Sequence, residues 1–323
     1  MTAPPEGPAT PKKILLDCDP GVDDAFAIVF ACGHPGLDLT GITTVAGNVG
    51  LDQTTANALS VCEFAGRPDI PVAAGSPRPL LRDPYIEARS VHGDNGLGGA
   101  RLPAPTCRAR CVHAVDFLVD QICAAPGEIT LVATGPLTNV ALAVRRCPGL
   151  VAQVADFVIM GGSASRGNIT PAAEFNIAWD PEAAAIVFGA GWRVTMLGLD
   201  VTLQARATAD VTERIRGLGR LGRDLLLPGL SGYQSELTAD QPVHDVCALA
   251  LVADPTLFGC QPARVEVETT GQWTSGMTVT DFRAPASEHN ALVAQTADVP
   301  RFWDCVLGAY QRVPAAAGDE AAR

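Results

Sequence analysis

The chain has 323 residues and a formal net charge of −12, with 47% hydrophobic and 18% charged residues. That length can bury a large core, the balance is globular, and no apolar run reaches the length of a membrane span. A surface this acidic repels nucleic-acid backbones and anionic lipid, which argues against either as a partner.

From the N-terminus, residues 1–12 are Pro-rich, lack the apolar centre of a secretory signal and read as a disordered tail. Ile14-Leu15-Leu16 is a short buried strand running into Asp17, and Ala25 to Ala31 repeats apolar residues at helical spacing. Leu39 to Val45 is strand-like and Thr54 to Ala65 helical. Residues 75–110, rich in Pro, Gly and Arg, break the rhythm; long irregular segments in a compact α/β domain are usually lids or binding loops. Ile129 to Ala133 and Phe157 to Met160 are short buried strands, and the helical Pro181 to Phe188 precedes a strand at Val194 to Leu199. A second irregular stretch, 228–243, is rich in Gly, Ser and polar residues. Arg264 to Phe282 reads as two strands in a hairpin-like arrangement and Val299 to Val313 as a closing helix, before a second tail at 315–323. This alternation predicts one domain over 13–314, an open, mostly parallel α/β sheet flanked by helices.

The ten cysteines raise the question of disulfides or zinc. No C-x-x-C pair occurs, Cys107 and Cys111 lie four apart, and His34 and His113 are not arranged to complete a site. Cys32, Cys62 and Cys247 fall inside apolar helical patterns, where thiols behave as small hydrophobes. The expectation is a reduced, cytoplasmic protein.

The segment Asp17-Cys18-Asp19-Pro20-Gly21-Val22-Asp23-Asp24 places four carboxylates within eight residues, where the first strand gives way to a helix. In open parallel sheets ligands bind at that carboxyl end. Pro20 fixes a backbone angle and Gly21 permits a turn that a side chain would forbid, so the carboxylates can fold towards one point. Crowded carboxylates repel unless a cation sits among them, and oxygen ligands suit Ca²⁺ or Mg²⁺ ahead of zinc. A plainer reading makes Asp23 and Asp24 helix N-terminal acids and Asp245 an ordinary N-cap. Further along, Glu174 and Asn176 are two apart and would share a face on an extended segment. With Asn168 and Asn48 they offer the mixed donors and acceptors that sugar hydroxyls need.

DCDPGVDDA resembles the N-terminal signature of the inosine-uridine preferring nucleoside hydrolase family, and the similarity runs from about Lys13 to Val313. It includes ITTVAGN ending at Asn48, LVATGPLTN from Leu131, VIMGG from Val158, GNITPAAEFNIAWDPEAA from Gly167 and VHDVCA from Val243, in the family's order. The resemblance implies a Rossmann-like fold and hydrolysis of the N-glycosidic bond of ribonucleosides. It implies Ca²⁺ as cofactor, held by Asp19, Asp24, Asp245 and the main-chain carbonyl of Thr134. It puts Asn168 and Glu174 at the 5′-hydroxyl, Asp23 and Asn176 at the 2′- and 3′-hydroxyls, and Met160 in the pocket. Asp19 would act as base on a water at the ion, and His244 would protonate the leaving base. His92 and Tyr233 would lie near the base or sugar. The family's usual His-Asp-Pro is departed from here, since Val246 follows Asp245; this should loosen the backbone near the metal without deleting a ligand. A carboxylate beside the 5′ position disfavours 5′-phosphates. Broad purine and pyrimidine specificity, and a homodimer or homotetramer, complete the expectation.

Two rivals have distinct signatures. Asp-x-Asp after a first strand also opens the haloacid-dehalogenase phosphatases, which assist with Mg²⁺, but the residue two after the second Asp is Gly21 where that pattern wants Thr or Val. A non-catalytic Ca²⁺-dependent nucleoside or sugar binder would not need the full acidic set with Asp19. The string Gly217-Leu218-Gly219-Arg220-Leu221-Gly222 follows a polar helical stretch and no strand, so it is not a dinucleotide motif.

Overall fold

The computed structural model describes residues 10–83, 87–232 and 240–316. The first half alternates β1 (Lys12–Cys18), α1 (Val22–Gly33), β2 (Leu37–Thr44), α2 (Leu51–Phe64) and β3 (Val72–Ala74). A single turn, α3 (Arg89–His92), interrupts the first long loop before α4 (Ala114–Ala124), β4 (Ile129–Ala133), α5 (Thr138–Arg146) and β5 (Asp156–Met160). Two helices, α6 (Phe175–Trp179) and α7 (Pro181–Phe188), lead into β6 (Val194–Leu197) and α8 (Leu199–Thr202). Then come β7 (Arg206–Ala207), α9 (Ala209–Arg216), α10 (Leu227–Gly232), β8 (Gln241–Pro242) and α11 (Asp245–Ala253). The chain closes with β9 (Phe258–Val267), β10 (Thr278–Asp281), β11 (Ala291–Ala297) and α12 (Val299–Tyr310).

Among the described residues nine strands form one sheet in the order β10-β9-β11-β6-β5-β4-β1-β2-β3, and there only β9 runs antiparallel to its neighbours. Period-2 alternation divides the core. Ile14, Leu16, Val132 and Val158 face α1, α2, α11 and α12, whereas Leu15, Leu131 and Phe157 face α4, α5 and α7. Helices on both faces explain why the strands read as short unbroken apolar runs. Pro262, inside β9, lacks an N–H, yet its stretch pairs with β11 only, and β10 begins pairing at Arg264.

Strand order reverses between β1 and β4: β2 and β3 lie to one side, β4, β5 and β6 to the other. That reversal opens a crevice at the carboxyl ends of β1 and β4. The acidic segment and Thr134 emerge there.

Several local expectations need correction. Residues 228–232 are helical, continuing a π-helical stretch at Leu221–Leu226, so the second loop is not irregular from its start. Glu174 and Asn176 are not on an extended segment: Glu174 caps α6 and Asn176 sits in its first turn. β1 begins at Lys12, and Ala315 is buried. Gly21 has φ −95°, which any residue adopts, so its freedom is not what matters. A Cβ there would lie 2.5 Å from Asn48 Nδ2 and 2.7 Å from His92 Nδ1. The glycine is needed for space.

Candidate active site

Asp17, counted with the acidic cluster, turns away from it. Strand alternation places it on the α5 face with Leu15, where Thr43 Oγ1 (2.6 Å) and Asn139 Nδ2 (2.8 Å) donate to its Oδ1. The remaining acids converge. Asp24 accepts from Gly21 N at 3.0 Å and Asn48 Nδ2 at 3.1 Å through Oδ2, and from Thr134 Oγ1 at 2.9 Å through Oδ1. Asp23 and Asp245, opening helices α1 and α11, bring carboxylate oxygens within 4.8 Å of each other and of Asp24. All three are buried.

Asp19 lies alongside rather than in that trio. Its Oδ2 accepts from Asn48 N at 2.7 Å, and its Oδ1 is buried with no hydrogen-bond partner among the described residues. Gly47 and Gly135 box the carboxylate: a Cβ on Gly47 would overlap Oδ2, and one on Gly135 would lie 2.6 Å from Oδ1.

Burial dominates the electrostatics. It pushes Asp19 and Asp245 well above the usual carboxylate range, with neighbouring carboxylates adding to the rise, Asp24 for Asp19 and Asp23 then Asp24 for Asp245. Burial also raises Asp24, and takes Asp23 to about 7 with help from Asp24. Four acids so placed cannot all ionise without added positive charge. An all-oxygen donor set with one orphaned oxygen fits a hard divalent cation.

Above the acids is a cavity of about 750 Å³, in the range of small-molecule sites. Asp23, Asn48, His92, Thr134, Met160, Asn168, Glu174, Asn176, His244 and Asp245 all line it, while Asp19 and Asp24 lie beneath the lining. Tyr233 lies outside the described residues. Asn176 Nδ2 donates to the Thr134 carbonyl at 2.7 Å and to the Met160 carbonyl at 3.1 Å, tying α6 to the ends of β4 and β5. Glu174 accepts from Asn176 N (2.9 Å), Gly162 N (2.9 Å) and Ile177 N (3.2 Å), yet burial still raises it to about 7. Gly162 has φ +74°, a conformation that glycine reaches without strain, and this turns its N–H to the carboxylate. Asn168 Oδ1 accepts from Phe175 N at 2.9 Å. His92 Nδ1 accepts from Val22 N at 3.1 Å, which leaves the neutral ring's proton on Nε2. His244 Nδ1 is 2.8 Å from Thr202 Oγ1. Burial lowers His92 to about 3 and His244 to about 4, so both rings are neutral near pH 7.

Asn48 lines the cavity, and its amide nitrogen also holds Asp24 Oδ2 and the Asp19 carbonyl (3.1 Å each). Sequence reasoning passed over Glu87, Arg166 and Phe175, all on the lining. Phe175 lies between Glu174 and Asn176, and Arg166 directly precedes the motif that begins at Gly167, so neighbourhood was the available signal.

Fold and pocket together define an α/β enzyme with a small-molecule site at a topological switch point. Residues 14–304 match the family described as inosine-uridine preferring nucleoside hydrolase. The chain is 43% identical over 311 residues to the inosine-uridine preferring nucleoside hydrolase of Crithidia fasciculata, covering 94% of this chain and 98% of that one. It is 45% identical over 291 residues to the non-specific ribonucleoside hydrolase RihC of Klebsiella pneumoniae, covering 90% and 95%. The solved purine-preferring ribonucleoside hydrolase from Gardnerella vaginalis superposes with a TM-score of 0.89 at 34% identity, covering 95% of this chain and 100% of that one. The chain belongs to the inosine-uridine preferring nucleoside hydrolase family, hydrolases that act on nucleosides at the N-glycosidic bond.

Proposed function

We propose that this chain cuts ribonucleosides to free base and ribose, accepts purine and pyrimidine bases broadly, and uses Ca²⁺. The carrying observation is the convergence of Asp23, Asp24 and Asp245 within 4.8 Å at a nucleoside-sized cavity, in a chain of this family. Asp19, Asp24, Asp245 and the Thr134 carbonyl are the ligands assigned, and the last keeps a second lone pair beside its bond to Asn176. When bound, a hard divalent cation keeps these carboxylates ionised, makes water more acidic and fixes a ribose diol.

The chain's own residues do the rest. Asp23 and Asn176 receive the 2′- and 3′-hydroxyls, and Asn168 and Glu174 the 5′-hydroxyl. Asp19 takes the attacking water's proton at Oδ1, its unpartnered oxygen. Carboxylates lining the sugar favour the positive charge that develops as the glycosidic bond opens. His244, whose Nδ1 lies 2.8 Å from Thr202 Oγ1, is assigned to the departing base: as a neutral ring it donates a hydrogen bond that eases departure, and full proton transfer requires its imidazolium form. His92 and Met160 bound the pocket, and Tyr233 is assigned to the base. Relatives of similar identity carry names for different base ranges, so the broad reading rests on His244 and Tyr233 both being present. All ten cysteines are free, which supports a reducing, cytoplasmic setting, and a homodimer or homotetramer is the assembly we assign.

The test is ribose release from inosine, uridine, cytidine and adenosine, with chelator and with calcium restored. Release that chelator abolishes and calcium restores is expected. Binding without release would leave a binder, and phosphate release with Mg²⁺ a phosphatase; either overturns the reading.

A further inference from the structure

We propose that Arg166 selects substrates by donating to a ring carbonyl oxygen of the leaving base, and that Asp200 is the residue that positions it. The inference rests on the ribonucleoside reading above. Arg166 is exposed and on the cavity lining, and it is the only Lys or Arg there among the described residues. Many arginines find carboxylates, as Arg67 does at Asp69, Arg82 at Glu182 and Arg214 at Asp304, and Arg166 differs from the other arginines without one by lining the cavity. No acceptor for the Arg166 guanidinium occurs among the described residues.

Its backbone is held more firmly than an exposed turn requires. Ser163 Oγ accepts from Ser165 N and Arg166 N, each at 3.1 Å, and itself donates to Asp200 Oδ2 at 3.1 Å. Asp200 also receives Ala164 N at 2.7 Å and the Ser165 hydroxyl. From the other side, Ser163 N donates to Thr278 Oγ1 at 2.8 Å, and that hydroxyl donates back to the Ser163 carbonyl at 2.6 Å. Asp200 on α8 and Thr278 on β10 therefore clamp the turn that carries Arg166 to the cavity. A carboxylate that gathers three donors from one short turn fixes the turn's shape, not only its location.

The chemistry of the partner follows from what the remaining lining offers. Asp23, Asp245, Glu174 and Glu87 are acceptors, matched to ribose hydroxyls that donate. A guanidinium only donates. On a nucleoside, the acceptors left over are the ring nitrogens and the carbonyl oxygens of the base, and the carbonyl oxygens are the ones we assign to the guanidinium. They also gain negative charge as the glycosidic bond breaks, which a nearby cation stabilises. At purine position 6 and pyrimidine position 4, adenine and cytosine present an amino group where hypoxanthine and uracil present a carbonyl; cytosine keeps its 2-carbonyl, so it is at the 6- or 4-position that Arg166 discriminates between the pairs. A 5′-phosphate is the competing partner for the same guanidinium.

Four nucleosides assayed against native enzyme, Arg166→Gln, Asp200→Asn and the double variant test this. Arg166→Gln should lower kcat/KM about tenfold for inosine and uridine and within about twofold for adenosine and cytidine, the loss of one charge-assisted hydrogen bond. Asp200→Asn should reproduce part of that selective loss, mainly in KM, and add nothing selective to Arg166→Gln. Uniform loss over all four nucleosides overturns the proposal, as does a loss confined to inhibition by nucleoside 5′-monophosphates. Additive effects of the two substitutions overturn the positioning role. If the native enzyme releases ribose from none of the four, the parent reading falls as well; selective failure of the variants alone leaves that reading standing.

Discussion

Replacing Asp23 by Asn should make the ion-free protein more stable and less responsive to calcium. Burial, then the Asp24 carboxylate, lifts the Asp23 carboxyl from 3.8 to about 7. At ~1.36 kcal/mol per pH unit, the displacement from 3.8 corresponds to about 4 kcal/mol. The sign follows from proton counting: a raised folded-state value means the folded chain holds the extra proton. This contribution is fully present below the unfolded value and is lost as pH rises through about 7. Between pH 5 and 7 the native chain should therefore lose about 2 kcal/mol relative to Asp23→Asn, near 5 °C in Tm at ~2–4 °C per kcal/mol. His92 and His244 titrate in the opposite sense, but they are common to both proteins and cancel in the difference.

Calcium reverses the comparison. One site filled at 100 times its Kd adds about 2.7 kcal/mol to native stability. Neutralising one of three converging carboxylates should cut that gain, so the native chain overtakes the variant. The assay is thermal unfolding from pH 5 to 7.5 with chelator, then with calcium. Native and Asp23→Asn curves that stay parallel under chelator would show an uncrowded Asp23 and remove the electrostatic ground for a cation.

Other consequences are simpler to state. Asp19→Asn should abolish ribose release while circular dichroism stays native and the ion-free protein, relieved of a buried carboxylate, is no less stable than native; near-normal turnover refutes the base role. Gly135→Ala forces a methyl to 2.6 Å from Asp19 Oδ1, so about 1–3 kcal/mol of stability and most activity should go together, read by denaturant melts and initial rates. Thr202→Val removes the partner of His244 Nδ1 and should lower kcat more than it raises KM, leaving chelator sensitivity unchanged. Because Glu174 sits at about 7, its acceptor oxygens are lost to protonation as pH falls below that value; nucleoside KM should rise from pH 7 to 6, and Glu174→Gln should flatten the profile.

The layout of the sheet was legible because strands buried on both faces give unbroken apolar runs, as in Ile14 to Leu16 and Ile129 to Ala133. The acidic loop was legible because its residues are adjacent in sequence. Legibility failed where long-range packing decides. Nothing local says that Asp17 points to Asn139, or that Glu174 caps a five-residue helix instead of extending a strand. The need for glycine at 21, 47 and 135 comes from Asn48, His92 and the Asp19 carboxylate, brought near only by the fold. Arg166 was passed over for a related reason: its turn depends on Asp200 and Thr278, far away in sequence.

The way the acids are held bears on why they are there. A protein that needed buried carboxylates only for structure would gain most by pairing them with arginine or lysine, since an uncompensated buried charge is costly. Around Asp19 and Asp24 the donors are instead neutral: Gly21 N, Asn48 N and Nδ2, and Thr134 Oγ1. Neutral donors orient an oxygen without cancelling its charge. The negative potential is thus left for something that arrives from outside the chain, and the fold keeps Arg166, the one guanidinium lining the cavity among the described residues, out on its exposed rim.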